Sequence, residues 1–293
     1  MESAIDLPSR VRTWVLANEY PASSLPGEAD TLFCRLVAQK TRGSLSIRAV
    51  ADAGLGLTSR EQLRAVAEGR IAMADTFSGA LGEEDPALCL STLPFAVRGV
   101  GAARALHEAA RPAYDAAFAR HNQRLLFSTP WPPSGLWTRV PVDSVADIGA
   151  LKIRTYDETG ARVFASLGAR ASVVSFAELG ARIAAGDFDA VLSSGDGGAG
   201  RALWEHFPYF IAIEYATPVS FATVNLDLWT ALDEATRAAV DEAARETEAR
   251  QWRALEGRVG ENYARMREHG VTVVAEISGE LREHLRQAAG ALR

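Results

Sequence analysis

Arg154 is the residue best placed to do chemistry. It stands at the end of an apolar stretch, Leu151–Thr155, that reads as a strand. Ligands of open α/β sheets sit beyond the carboxyl ends of strands. A guanidinium there can grip a carboxylate with two parallel N–H bonds, although an interdomain ion pair is a competing use. The second feature, Gly195-Asp196-Gly197-Gly198-Ala199-Gly200, satisfies G-x-G-x-x-G and follows a strand. In a dinucleotide site such a turn would receive a pyrophosphate at a helix N-terminus. Its context argues against that use. The helical stretch Ala199–Phe207 is cut short by Pro208, Glu214 comes too soon after the last glycine, and no full βαβαβ half surrounds the loop. The glycines still expose backbone donors that any small anion could meet.

Other chemistry is thin. His107, His121, His206, His269 and His284 are scattered over helical stretches among polar neighbours and read as solvated. Ser78 lacks the first glycine of a nucleophile elbow. Cys34 lies on a helix face and reads as a small buried hydrophobe; neither it nor Cys89 has a partner at metal-ligand spacing. Carboxylates such as Glu242 and Glu246 fall beside Arg245 and Arg250 on one helix, as solvated pairs worth little. The residues make no positive case for an enzyme and call for no cofactor and no metal.

These groups need elements to hold them, and strands and helices alternate along the chain. Thr13–Ala17 suits a buried strand, Gly27–Lys40 a helix, and Leu45–Ala49 a period-2 strand. Ser59 with Gln62 reads as a capping box opening a helix that stops at Gly69. Ile71–Asp75 follows as a strand, completing a β-α-β-α-β order that implies parallel strands. Ala102–Asn122 is a long amphipathic helix and Leu125–Ser128 a strand. Thr129–Gly135, rich in proline, cannot be a helix interior and marks a domain crossing. Beyond it come strands at Leu151–Thr155, Ala171–Ser175 and Phe188–Leu192, with helices at Thr159–Leu167 and Phe176–Ala185. A further strand region spans Phe210–Glu214 and Val219–Val224. Leu232–Arg267 is a long charged helix with candidate breaks at Gly257 and Gly260, and Val271–Ala275 and Leu281–Leu292 close the chain.

The chain has 293 residues and a formal charge of -6, which suggests two domains and no basic face for nucleic acid. No apolar run is long enough to span a membrane. A secretory signal needs a basic start and an apolar stretch, and Met1–Asp6 shows neither. The chain therefore reads either as cytosolic or as given without its leader.

Ala146-Asp147-Ile148-Gly149-Ala150-Leu151-Lys152-Ile153-Arg154 resembles a signature of the solute-binding proteins of TRAP transporters, the DctP-type family. Several other segments agree with that family in order and spacing: Ser59–Arg70, Ser91–Phe95, Leu167–Ala169 followed by Ser175–Leu179, Ala185–Ala190, and Trp229–Glu234. The match covers roughly residues 11–285. The resemblance implies an α/β, two-lobed periplasmic-binding-protein-like fold (type II), with two mixed sheets flanked by helices and a long interlobe helix. Lobe I would be residues 1–131 with 220–258, lobe II residues 132–219 with 259–293, and the ligand cleft would lie between them. The protein would be a periplasmic monomer that captures a small organic acid by arginine–carboxylate pairing and lobe closure and delivers it to the TRAP membrane subunits.

Carried over by position, the resemblance makes Arg154 the anchor. It adds Asn18 and Glu19 after the first strand, Phe77 at the third strand, Phe176, and Ser193 where many members have asparagine. Tyr20 and Trp131 could pack a ring, Trp137 likewise. Asp196 and Glu19 would suit hydroxyls or an amine, and Ser194 and Tyr215 complete the candidate set. Ser134 stands where many members carry a second arginine, which favours a mono-acid over a dicarboxylate. Two other readings stay open at this level: an NAD(P)-linked enzyme built on Gly195–Gly200, and a cytosolic sensor on the same fold.

Overall fold

The structure, a computed structural model, describes residues 12–291. Met1–Asp6 and Leu292, the last residue expected of the closing helix, lie outside the described residues. In chain order the first elements are β1 (Arg12–Asn18), α1 (Leu25–Lys40), β2 (Leu45–Val50), α2 (Ser59–Ala67), β3 (Met73–Phe77), α3 (Gly99–Arg120) and β4 (Gln123–Pro130). Next come β5 (Gly135–Thr138), α4 (Val145–Gly149), β6 (Lys152–Thr155), α5 (Glu158–Ser166), β7 (Arg170–Val173), α6 (Phe176–Ala184), β8 (Ala190–Ser193) and α7 (Gly195–Gly200). The chain continues through β9 (Tyr209–Ile211), β10 (Val219–Asn225), α8 (Leu226–Thr230), α9 (Glu234–Glu268), β11 (Thr272–Val274) and α10 (Gly279–Gly290).

Two mixed sheets result. The first runs β2-β1-β3-β10-β4 and the second β11-β9-β5-β8-β6-β7. The parallel pairs β1–β2 and β1–β3 follow from the crossover helices, as the alternating order requires. β10 runs antiparallel between β3 and β4 and makes the sheet mixed. The Pro-rich passage carries the chain from β4 in one sheet to β5 in the other, and the stretch from β9 to β10 carries it back. Each sheet has its own apolar core. Leu16, Met73 and Phe127 pack against Phe33 of α1, and Trp137, Ile153, Phe164 and Phe210 pack in the second half. Among the described residues no helix is long and apolar enough to cross a membrane.

Several expectations need correction. The capping box lies one residue earlier, because the Glu61 carboxylate accepts from the N–H (2.8 Å) and hydroxyl of Thr58. Ser59 is already helical, and its hydroxyl accepts instead from the Phe77 N–H at 3.3 Å. β3 begins two residues later than expected, since Gly69 turns the chain at φ 70°. The single strand region over 210–224 is two strands in different sheets. The four-residue β5, which starts two residues after the last proline of the run, was not expected at all. α9 runs unbroken for 35 residues through Gly257 and Gly260. Cys34 is half-buried rather than buried, with burial pushing its thiol up to about 12. His107 is not solvated: it is 3% exposed, packs on Tyr114 and Trp252, and its Nε2 meets Glu248 Oε1 at 3.2 Å.

Candidate functional site

A cavity of about 590 Å³ opens between the two sheets. Its walls come from the carboxyl ends of β1, β3 and β6 and from the first turns of α2 and α6. A recess of about 20 Å³ lies against it and shares Tyr20, Phe77, Arg154, Tyr156 and Phe176 with the larger space. Trp131, Ser134, Ser193 and Ser194 line the recess alone.

Arg154 is 2% exposed at the end of β6. Its Nε donates to the Val174 carbonyl at 2.8 Å and Nη1 to the Leu192 carbonyl at 3.2 Å. These two carbonyls belong to the segments on either side of β6, so the sheet itself aims the guanidinium into the cavity. Among the described residues no carboxylate forms an ion pair with it. Burial pulls its pKa down, while Tyr20, Glu19, Tyr156 and Asp157 push it back up. A guanidinium keeps its charge under such shifts, so the cavity contains a buried cation.

Aromatic rings surround the cation. Tyr20 stacks on Phe176 with centroids 4.4 Å apart and meets Trp131 edge-on at 4.8 Å. Phe77 contacts Tyr20 at 5.5 Å and Tyr156 at 5.2 Å. Polar handles hold the rings in place. Trp131 Nε1 donates to Ser220 Oγ at 3.0 Å, and Tyr156 shares a hydrogen with Ser134 at 3.2 Å. Ser134, where a second arginine was sought, therefore only orients a tyrosine. Glu19 is 2% exposed and accepts from two helix N-termini, the Ser59 N–H at 2.7 Å and the Ala177 N–H at 2.9 Å. Helix termini welcome a carboxylate in this way.

Four residues expected at the site do not reach the cavity wall. Asn18 lies beneath it, accepting from the Tyr20 N–H at 2.8 Å and donating to Asp30 at 2.7 Å. Asp196 uses both oxygens internally, on the Leu25 N–H at 2.9 Å and on Asn262 at 2.8 Å. Tyr215 is fully buried behind Tyr156, against Phe95 and Phe164. Trp137 is fully buried, its Nε1 donating to the Ser194 carbonyl at 3.4 Å. The glycine fingerprint folds as the short helix α7, capped by the Ser194 hydroxyl on the Gly197 N–H. Its glycines serve close packing. A Cβ on Gly198 would stand 2.1 Å from the Trp137 ring, on Gly195 2.5 Å from Asn262, and on Gly200 2.3 Å from Pro21. A phosphate cradle needs open backbone, so this loop offers no dinucleotide site.

The sequence reading missed Tyr156 and Asp157, which stand two and three residues after Arg154 and line the cavity. Asp157 caps α5, accepting from the Gly160 N–H at 2.7 Å. An acidic N-cap immediately past a strand's carboxyl end was a legible signal.

A cleft between two mixed sheets, with a buried cation and aromatic walls, defines a two-lobed binding protein for a small solute. The chain belongs to the DctP family, described as bacterial extracellular solute-binding protein, family 7, which it matches over residues 16–292. This bears out the resemblance and the fold read from the sequence. Its structure is similar to DctP6 of Bordetella pertussis, an extracytoplasmic solute receptor binding pyroglutamic acid. The identity is 29%, the TM-score 0.91, and the coverage 96% of this chain and 92% of that one. A TRAP solute-binding protein from a marine metagenome, specific for pyroglutamate, is 26% identical with TM-score 0.90, covering 96% and 91%. The Roseobacter denitrificans TRAP protein with bound L-galactonate shares the fold at 18% identity and TM-score 0.88, covering 96% and 94%. No curated protein matches the chain in sequence.

Proposed function

We propose that this protein is the extracytoplasmic receptor of a TRAP transporter and takes a small monocarboxylic acid of the pyroglutamate class. It would act as a periplasmic monomer, closing its lobes (residues 1–131 with 220–258, and 132–219 with 259–293) on the acid and handing it to paired membrane subunits. Arg154 carries the reading: a buried guanidinium, fixed by two backbone carbonyls and facing a cavity, without a carboxylate of its own among the described residues. A buried charge without a partner is costly, and a ligand carboxylate supplies the partner. The aromatic box of Tyr20, Phe77, Trp131 and Phe176 suits a flat, compact ring, and two of the relatives above bind pyroglutamate.

The test is isothermal titration of pyroglutamate and a panel of other carboxylic acids into the wild type and Arg154→Ala. Removing one member of a buried charge pair costs about 2–5 kcal/mol, so the variant should bind at least ~30-fold more weakly. Equal affinity in the two proteins would refute the anchor, and no heat from any acid would refute the transport reading.

A further inference from the structure

Asp157 stands three residues beyond Arg154 and lines the same cavity at 8% exposure. Its carboxyl is held in place. Oδ1 accepts from the Gly160 N–H at 2.7 Å, and a Cβ on Gly160 would come within 2.9 Å of that oxygen. The Thr92 hydroxyl on the same wall donates to the Cys89 carbonyl at 3.0 Å. No cation forms an ion pair with Asp157 among the described residues.

The charges around the cavity are lopsided. Arg60 and Arg154 face Glu19, Glu83, Asp157, Glu158 and Glu178. Arg60 is taken by Glu83 and Glu84, which leaves Arg154 as the one cation lining the cavity without an ion-pair partner among the described residues. A ligand's first carboxylate satisfies it. A second carboxylate has no such partner and meets Asp157 in a space of low dielectric, where like charges are strongly disfavoured.

We propose that Asp157 is the specificity-determining residue of the site: it turns away ligands with a second carboxylate and favours those presenting an N–H or O–H donor beside the one held by Arg154. The inference rests on the reading of Arg154 as the carboxylate anchor. A cyclic amide acid has this pattern, with one carboxylate and one adjacent N–H. An ionised carboxylate only accepts hydrogen bonds, so it welcomes the donor and repels the second acid.

Burial holds the Asp157 carboxyl up to about 7, against the Gly160 N–H, Thr92 and Arg154, which lower it. The groups facing it are Arg154 from β6, Glu158 from α5, Tyr156, Tyr215, and Cys89 from the segment after β3. Of these, Arg154 keeps its charge and the tyrosines and Cys89 are pushed up by burial. The discrimination should therefore weaken as pH falls through about 7.

The test is titration of pyroglutamate and L-malate into the wild type and Asp157→Asn at pH 6 and pH 8. Asparagine preserves the N-cap of α5, and a thermal melt checks that the variant folds. At pH 8 the malate-to-pyroglutamate ratio of dissociation constants should shrink at least ~10-fold in the variant, the equivalent of ~1.4 kcal/mol. The wild-type ratio should shrink between pH 8 and pH 6, and the variant's should stay flat. A ratio unchanged by the substitution, with pyroglutamate still bound, overturns the role of Asp157 alone. A wild type that takes neither acid and no other carboxylate overturns the transport reading and this one with it.

Discussion

At the scale of single residues, the site separates what a sequence shows from what only a fold assembles. Arg154 was legible because a cation ending an apolar strand has few structural uses. Tyr20, Phe77, Trp131 and Phe176 were found, but their mutual contacts come from four separate segments and have no signature in any one. Asp30 and Asp75 were invisible. They lie 45 positions apart in the sequence and meet only because α1 packs over the first sheet. Both are 1% exposed. Burial raises Asp75 to about 6, and burial together with the Asp75 charge raises Asp30 well above the carboxylate range. Two close carboxyls in an apolar core retain protons. Their folded pKa values exceed the unfolded ones, so the native state binds protons more tightly. Stability from these groups is fullest in acid and falls as pH rises from about 4 to about 6 and beyond. Melting temperatures across pH 4–8 should therefore decline less for Asp75→Asn than for the wild type; parallel curves would show that the pair carries no such linkage.

At the scale of elements, long periodic segments were read correctly and short ones were not. β5 has only four residues and emerges from a proline run, too short for any period to show. Its existence depends on pairing with β8 and β9. The breaks expected in α9 reflect a real local penalty of about 1 kcal/mol per glycine. Packing of α9 on α1 and β4, with Trp252 and Leu255 buried, overrides it. The penalty should be recoverable. A Cβ on Gly260 meets nothing within 4 Å, so Gly260→Ala should stabilise the protein by about 0.5–1 kcal/mol in a denaturant melt. Gly198→Ala, whose Cβ would run into Trp137, should instead destabilise it by about 1–3 kcal/mol. The two melts shifting in the same direction would contradict this account of the glycines.

At the scale of the whole molecule, two carboxylates fasten the halves together. Glu19, from the first sheet's β1–α1 loop, caps α2 on its own side and α6 on the other. Asp196, from α7, reaches the first N–H of α1. With the Tyr20–Phe176 stack between them, these contacts hold the cleft as narrow as it is. Replacing Glu19 by Gln leaves one of its two N–H groups facing an amide that cannot accept. One charge-assisted hydrogen bond is worth about 1.5–3 kcal/mol. The ligand-free variant should therefore show a larger radius of gyration in small-angle scattering. Its ligand affinity should fall about tenfold, because less of it is ready to bind. An unchanged radius would exclude the contact as a closure element. The two-lobed arrangement itself was legible through the proline passage and the alternating elements. The fastening was not, since it joins backbone N–H groups to carboxylates 40 and 158 positions away.

The place of β10 also constrains how the protein comes into being. β3 and β4 lie in the first half of the chain, yet each pairs with β10, which ends at Asn225. While the chain is being synthesised, these two strands expose unsatisfied edges until the ribosome has passed that residue. Bare edges invite pairing with other chains. The first sheet therefore cannot close until strands β5 to β9 of the second have been made, and a growing chain has to be kept apart from its neighbours until more than three quarters of it exists.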